Sequence, residues 1–203
     1  MKRRTFTQSQ IRYLRDRAEE QYENMRGSRS YRNVSFLLYI AIVVLAALTI
    51  RSFIAEPIRV EGDSMIPTLI HNEDMLVEKM SYWLDDPQRG DIVICIYPGY
   101  TESCVKRVIG LPGETVEIRG GVFYIDGESL DESPYWNGEI IGDMSLVTVA
   151  ARHVFVVGDN RNGSKDSRNA SVGSLSYASV FGRVVAVVYP FQEFRSIPRV
   201  NYP

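Results

Sequence analysis

The chain has 203 residues, 45% of them hydrophobic and 11% aromatic, and its 23 basic and 25 acidic residues leave a net charge of -2. This composition excludes a disordered polar chain, and the near-zero charge excludes a strongly basic nucleic-acid binder. Two cysteines are too few for a disulfide-rich miniprotein or a four-cysteine zinc site. The length predicts one or two domains.

The net charge is the sum of three segments that differ in charge. Residues 1–33 hold nine basic and four acidic residues, residues 34–50 hold none, and residues 51–203 hold fourteen basic and twenty-one acidic residues. We interpret the first segment as a basic tail, either a short helix on a membrane face or a solvated, partly disordered stretch. The division predicts a tail at 1–33, a transmembrane helix at 34–55 and a separate domain at 56–203.

The uncharged segment VSFLLYIAIVVLAALTI is typical of a membrane span. As a helix it is about 26 Å long at about 1.5 Å per residue. A snorkelling Arg51 and the apolar residues up to Ala55 extend it to the roughly 30 Å of a bilayer core. A buried core helix is the alternative, but the segment lacks a polar face.

Basic residues flank this span unequally. Arg26, Arg29 and Arg32 precede it closely, whereas only Arg51 and Arg59 follow it. The positive-inside rule therefore predicts a cytoplasmic N-terminus and an extracytoplasmic C-terminal domain in the cell membrane. The leader before the span is too long for an ordinary signal peptide, which favours an uncleaved signal anchor.

The sequence after the span predicts a mainly β domain built as an antiparallel sheet. Short apolar runs rich in β-branched and aromatic residues alternate with turn signals, and Asp126-Gly127 is typical of a two-residue hairpin. No long amphipathic helix pattern follows the span, and we interpret residues 135–144 as a surface insertion. The predicted strands are Met75–Glu78, Ile92–Tyr97, Val105–Ile109, Thr115–Ile118, Val122–Ile125, Val154–Val157 and Phe181–Val188.

The two cysteines lie on either side of a predicted hairpin. If the chain turns between Gly99 and Tyr100, Cys95 and Cys104 are directly opposite each other. An extracytoplasmic location permits oxidation, whereas hairpin geometry often strains such a bridge. The sequence is equally compatible with a disulfide and with two half-buried free thiols.

Serine and lysine are the strongest candidates for chemistry. Ser64 lies in a bent loop, GDSMIPTL, although most serines in such loops are turn residues. Lys106 begins an apolar strand, where it is either exposed or buried. Burial would lower its pKa, and reaching a pKa of about 8 would take roughly 3 kcal/mol. The neutral amine would then accept the proton of a serine hydroxyl.

The sequence predicts neither a metal site nor a cofactor. His71 and His153 have no suitably spaced partners for metal binding, and His153 begins an apolar strand, which favours a structural role. No glycine-rich phosphate-binding loop is present. A dense polar loop at 158–168 follows a predicted buried strand, and its composition is typical of side-chain-to-backbone hydrogen bonding.

Four segments in this order after a membrane span resemble the bacterial type I signal peptidases, in a Gram-positive-like form. They are GDSMIPTL, RGDIVI, KRVIGLPGETVEI and GDNRNGSKDSR. The resemblance covers Val60 to Arg168. It implies a membrane-bound serine endopeptidase that removes signal peptides from secretory preproteins with small residues before the cleaved bond. The lipid bilayer and the export machinery are the other implied partners.

The same resemblance implies a role for individual residues. Ser64 matches the nucleophile, Lys106 the general base and Ser164 the serine that hydrogen-bonds and orients the lysine. Asp166 and Arg168 match a charge pair that holds their loop beneath the site. Further positions match the substrate-binding pocket, in which Cys104 stands where the family can carry a larger residue. These positions are Val60, Gly62, Met65, Leu69, Cys104 and Val105.

The oxyanion of the reaction needs preorganised donors. The resemblance implies the backbone N–H of Ser64 as the first. Some members supply the second from a hydroxyl two residues earlier, but Gly62 stands here, which leaves a backbone N–H or water. Nine residues separate Ala55 from Ser64, at most about 30 Å of extended chain. We therefore expect the nucleophile to lie near the outer leaflet.

Three other functions compete with this prediction. A protease with the same chemistry could be dedicated to one client, such as a pilin or surface protein. A catalytically inactive, membrane-anchored scaffold or chaperone is disfavoured because both Ser64 and Lys106 are present. A self-cleaving Ser-Lys repressor is disfavoured because the segment before the span is too short for a DNA-binding domain with a linker.

Overall fold

A computed structural model of the chain describes residues 7–27, 29–49, 55–200 and 202. The chain divides into two compact units, Met1–Ile50 and Arg51–Pro203. The described part of the first unit forms two helices, α1 (Gln8–Gly27) and α2 (Arg29–Thr49). The basic tail, for which the sequence left two states open, is therefore helical over most of its described length.

Helix α2 contains the predicted apolar segment. Its stretch Tyr31–Thr49 has a mean hydropathy of 1.9 and is long and apolar enough to cross a membrane. The prediction that the helix continues to Ala55 is wrong, because Ala55 begins a strand and pairs with Glu78. Pro57 follows two residues later and is incompatible with a helix interior. The predicted contribution of Arg51 and the next three residues lies outside the described part of the chain.

The second unit consists mainly of β-strands, as predicted. Its described helical elements are short: α3 (Ser81–Leu84) and two 3-10 turns at Tyr177–Ser179 and Phe191–Glu193. The strands are β1 (Ala55–Arg59), β2 (Asp74–Glu78), β3 (Ile92–Ile96), β4 (Ser103–Gly110), β5 (Thr115–Arg119), β6 (Val122–Ile125), β7 (Glu128–Ser129), β8 (Met144–Thr148), β9 (His153–Val157), β10 (Leu175–Ser176), β11 (Val180–Tyr189) and β12 (Arg195–Ser196).

These strands form two antiparallel sheets. The larger has the order β1-β2-β11-β3-β4-β9-β10, with β12 added to β11, and the smaller has the order β7-β6-β5-β8. Asp126 and Gly127 both have positive φ between β6 and β7, where Ile125 pairs with Glu128. This geometry confirms the predicted two-residue hairpin, since such turns need left-handed conformations that Gly and Asp tolerate.

Strand β4 lies in the interior of the larger sheet, between β3 and β9. Five consecutive residues at its end, Lys106 to Gly110, are buried, so both faces of the strand are covered. A strand buried on both faces reads as a continuous apolar run rather than an alternation. The two cations within that run, Lys106 and Arg107, therefore point into the protein in opposite directions.

The loop between β1 and β2 is held by apolar side chains that follow Ser64 in the sequence. Met65 and Leu69 are 1% and 0% exposed and belong to one core cluster with Met75 and Val187. Burying a side chain of this size contributes about 1.5–3 kcal/mol. Because the anchors are so close to Ser64 in sequence, the serine backbone has little freedom to move.

Candidate active site

The Ser64 loop is also held by hydrogen bonds. Gly62 has a φ of +82°, which favours glycine. The backbone N–H of Asn160 donates to the Ser64 carbonyl at 3.0 Å, and the Asn160 side chain donates to the Asp63 carbonyl at 3.1 Å. The polar loop that follows β9 therefore holds the backbone on either side of Ser64 through hydrogen bonds. These bonds require the polar side chains and free backbone N–H groups that this loop supplies.

Lys106 reaches Ser64 from strand β4. The residue is only 3% exposed. Its Nζ donates to Ser64 Oγ at 2.8 Å and to the Val105 carbonyl at 2.7 Å. Burial lowers the pKa of Lys106, and this effect outweighs the opposing charges of nearby thiols and carboxylates. The structure thus brings together two residues that are 42 positions apart and places the amine in surroundings that favour its neutral form.

Ser164 lies close to Ser64 but does not contact Lys106 by a hydrogen bond. Its Oγ is buried and has no hydrogen-bond partner among the described residues. A Cβ added at Gly158 would overlap both Ser164 Oγ and the Ser64 carbonyl oxygen, so Gly158 separates the two serines. The role of Ser164 in orienting the lysine stays a prediction.

Asp166 and Arg168 form the charge pair that the resemblance implied. The Arg168 Nε donates to Asp166 Oδ1 at 2.8 Å and its Nη2 donates to Oδ2 at 2.8 Å. The Asp166 side chain is 1% exposed, and it also accepts a hydrogen bond from the Gly158 backbone N–H at 3.0 Å. A two-bond arginine–carboxylate pair of this kind is geometrically specific and holds the loop in one shape.

A second buried charge pair involves Arg107, which projects from the face of β4 opposite to Lys106. The sequence analysis did not predict this pair. Arg107 donates from Nε and Nη2 to the two oxygens of Asp159, at 2.8 and 2.6 Å. Thr68 donates to the same carboxylate at 2.5 Å, and the Tyr135 ring lies 3.9 Å from the guanidinium. The network links the serine loop, the lysine strand and the loop after β9.

Two features of the sequence could have indicated this network. Asp159 lies in the dense polar loop directly after a predicted buried strand, and Arg107 follows Lys106 within an apolar strand. The interpretation of residues 135–144 as a surface insertion is only partly right. Tyr135 stacks on buried Arg107, and Ile140 is 3% exposed in a core cluster formed by residues of both sheets. Aromatic and β-branched residues in that segment supply core contacts.

A cleft of about 600 Å³ opens beside Ser64. Five of the predicted pocket residues line it, together with Ile58 from β1, residues 101–102 before β4 and Ser103 at the start of β4. The sixth, Leu69, is not among the lining residues, because it is fully buried in the core cluster under the loop. The five are Val60, Gly62, Met65, Cys104 and Val105.

The backbone N–H groups of Ser64 and Gly62 differ in their hydrogen bonding. The Ser64 backbone N–H donates to no acceptor within the described residues, so it is free to bind an oxyanion. The Gly62 N–H instead donates to His71 Nδ1 at 3.1 Å. Gly62 is therefore occupied and does not provide the second donor in this arrangement.

The cysteine pair has the register that the sequence predicted. Cys95 on β3 lies directly opposite Cys104 on β4. Both thiols are free, with Cys95 buried and Cys104 half-buried, and their sulfur atoms are 3.4 Å apart. Of the two states that the sequence left open, the structure contains the thiol pair.

Comparison with known proteins identifies the family. Residues 33–189 match the family described as signal peptidase, peptidase S26. Signal peptidase I S of Bacillus subtilis is 40% identical over 167 residues, covering 77% of this chain and 89% of that protein. A probable signal peptidase I-1 of Synechocystis is 39% identical over 167 residues, covering 76% and 80% of the two chains.

A solved structure is also similar in sequence. It is a signal peptidase I from Enterococcus faecalis V583, 37% identical, which covers 49% of this chain and 97% of that chain with a TM-score of 0.43. The family match covers most of the chain and includes the loop, the strand and the polar motif described above. The chain therefore belongs to the signal peptidase family, peptidase S26.

Proposed function

We propose that this signal peptidase uses Ser64 as its nucleophile and Lys106 as its general base to cleave signal peptides from secretory preproteins. The single observation that carries the assignment is the 2.8 Å contact between a buried amine and a serine hydroxyl at the edge of a cleft. A metal-binding cluster of His, Cys, Asp or Glu was not found among the described residues. The pair alone accounts for serine endopeptidase chemistry.

The geometry supports a two-step acyl transfer. The neutral Lys106 amine takes the Ser64 proton while Oγ attacks the scissile carbonyl carbon, and the Ser64 N–H stabilises the oxyanion. The resulting ammonium then gives its proton to the leaving amine. Water, deprotonated by the same amine, releases the acyl group from Ser64. Asp166 and Asp159 act indirectly, by holding the loops that position both residues.

The cleft supports a preference for small residues at the first and third positions before the cut. Strand β1 is the terminal strand of the larger sheet, so one edge of its backbone is available to pair with an extended substrate. Alternate substrate side chains would then enter the cleft. Buried Met65 and half-buried Cys104 and Val105 form its walls, and their bulk favours small side chains.

The charge distribution supports the orientation in the cell membrane. We assign residues 1–33 to the cytoplasm, the apolar part of α2 from Val34 onward to the bilayer and residues 56–203 to the extracytoplasmic side, where exported chains emerge. A cytoplasmic tail should be digested only when protease is added to inverted vesicles, whereas the C-terminal domain should be digested only in right-side-out vesicles. The reverse pattern would contradict the orientation.

The direct test uses the purified full chain in detergent with a model preprotein. The wild type should release the mature protein, and Ser64→Ala should release none while keeping its thermal unfolding midpoint. Normal cleavage by Ser64→Ala would overturn the assignment. A panel of preproteins that differ in the two small residues tests the pocket, and cleavage of a single client in the panel would instead favour a dedicated protease.

The acid limb of the pH profile provides a second test. Because Lys106 must be neutral and burial lowers its pKa, kcat/KM should rise with pH through an apparent pKa below the ordinary lysine value of about 10.4. The measurement is kcat/KM for one peptide substrate across the pH range in which the enzyme stays folded. An acid limb at the ordinary lysine value would show that the base is solvated.

Gly158→Ala should impair the site through sterics alone. Its Cβ would overlap Ser164 Oγ and the Ser64 carbonyl, so the nucleophile must shift. We expect kcat to fall about 100-fold, the typical effect of misplacing a reacting group by about 1 Å. Gly99→Ala is the matched control, since a Cβ there meets nothing within 4 Å, although its φ of +78° adds backbone strain. Equal activity in both variants would contradict the overlap.

A further inference from the structure

The two thiols lie beside the catalytic pair but have no role in the proposed mechanism. Cys104 lines the cleft together with Ser64, and it precedes Lys106 by two residues on β4. Residues two apart on a strand project to the same face of the sheet. The thiol of Cys104 is therefore accessible from the cleft, and it lies next to the general base on the same face of β4.

The backbone geometry of the pair permits a disulfide. Residues directly opposite each other on antiparallel strands have Cα atoms about 4.5–5.5 Å apart, within the range of about 4.4–6.8 Å seen in disulfides. The sulfur atoms of Cys95 and Cys104 already lie 3.4 Å apart and are hydrogen-bonded rather than covalently joined. A bond between them requires side-chain rotation and no change of register.

The two thiols have different surroundings, and this difference determines which of them reacts first. A hydrogen bond from the Cys95 thiol lowers the pKa of Cys104, and the charge of Lys106 and a hydrogen bond from Tyr97 lower it further. Cys95 is fully buried, and both its hydrogen bond with Cys104 and its burial raise its pKa. Cys104 is therefore the thiol that first meets and attacks a reagent in the cleft.

We propose that Cys95 and Cys104 are a thiol–disulfide exchange site in the substrate cleft, which reacts with small disulfides and closes into a cross-strand disulfide beside Lys106. The Cys104 thiolate attacks one sulfur of a small disulfide, breaking its S–S bond and releasing one thiolate. Cys95 then loses its proton and attacks Cys104 Sγ, releasing the second thiolate. The protein loses two electrons and two protons, and the small disulfide becomes two thiols.

Closure of the disulfide changes the electrostatic environment of the base. The negative charges of Cys104 on β4 and of Asp166 and Asp159 in the loop after β9 raise the pKa of Lys106, whereas the raised pKa of Cys95 keeps that thiol neutral. Oxidation removes the Cys104 thiolate and leaves the carboxylates. The pKa of Lys106 should therefore fall, and a larger fraction of the enzyme should hold the neutral amine at a given pH.

The exchange reaction is tested on the full chain in detergent, without any need for proteolytic activity. Reduced wild-type protein is treated with bis(2-hydroxyethyl) disulfide and its intact mass is measured. We expect the mass to fall by two hydrogen atoms, with no retained adduct and full reversal by dithiothreitol. Retained adducts on both cysteines, or no reaction until the protein is denatured, would overturn the proposal.

Single-cysteine variants provide the matched controls. Cys95→Ala should keep one adduct on Cys104, because no second thiol is present to displace it. Cys104→Ala should keep no adduct, because Cys95 is buried. An adduct on Cys95 in the folded Cys104→Ala protein would contradict the order of attack. The wild-type mass result stands by itself if either variant fails to fold.

The effect on the base rests on the proposed function and is measured separately. The acid limb of kcat/KM should lie about one pH unit lower for the oxidised than for the reduced wild type, the size expected for removing one nearby charge. A limb that stays in place or moves to higher pH would overturn the link to Lys106. If reduced enzyme fails to cleave any preprotein, the proposed function fails, while the mass measurement still decides the exchange reaction.

Discussion

Lys106→Met is expected to lower kcat about 10⁴-fold or more while leaving the fold intact or more stable. The activity falls because no other described group lies within hydrogen-bond distance of Ser64 Oγ to accept its proton. The stability should not fall, because methionine replaces a buried, desolvated amine with an apolar chain of similar length. Loss of activity with an unchanged or raised unfolding midpoint separates a catalytic role from a structural one.

The control is a lysine outside the site. Lys79 is half-buried and paired with Glu56 at 2.7 Å on the β1–β2 side of the sheet. Lys79→Met should keep kcat within about threefold of the wild type, because a partly exposed ion pair contributes only about 0–1 kcal/mol. Both proteins are compared in single-turnover cleavage of one preprotein. Retained activity in Lys106→Met would exclude this lysine as the base.

Asp159→Ala is expected to lower the free energy of unfolding by about 3–5 kcal/mol, because it leaves the buried Arg107 charge without its carboxylate. Neither side chain of this pair is more than 2% exposed, so solvent cannot compensate. Thr68 loses its acceptor in the same substitution. We expect a lower urea midpoint with an unchanged dependence on urea concentration, measured on the full chain in detergent.

Two further variants isolate the cause. Asp159→Asn keeps a hydrogen-bond acceptor for Arg107 without the charge. Its free energy of unfolding should therefore lie between those of the wild type and Asp159→Ala. Asp74→Ala removes a pair of the same two-bond geometry, in which Arg59 donates at 2.8 and 3.1 Å, but on the surface. It should therefore destabilise the protein much less. If Asp159→Ala and Asp74→Ala lowered the free energy of unfolding equally, burial would not determine how much an ion pair contributes to stability.

Local pattern was enough to predict much of the domain. The β-branched runs and the turn residues between them predicted the strands, because side-chain shape and left-handed turn positions act over a few residues. The same reasoning placed Cys95 opposite Cys104, since the centre of a hairpin turn determines its register. The resemblance added roles for Ser64 and Lys106, and the structure brings these two side chains into contact.

Predictions failed where a residue's environment depends on distant parts of the chain. Leu69 was expected in the pocket, but it is fully buried in the core cluster and does not line the cleft. The segment with Tyr135 was expected on the surface, yet its ring covers a buried arginine. Ala55 was expected to end the helix but pairs in β1. Each outcome depends on packing between segments that local periodicity does not describe.

The sequence by itself determined the separation of charge, the apolar segment, the strands and the residue types able to perform serine protease chemistry. These properties depend on composition and on neighbours within a few positions. Only the tertiary structure decided that the Lys106 amine is buried against Ser64 Oγ and that Arg107 on the other face is neutralised by Asp159. Burial and charge pairing depend on how β4 is enclosed by strands and loops distant in the chain, and burial is what lowers the pKa of Lys106.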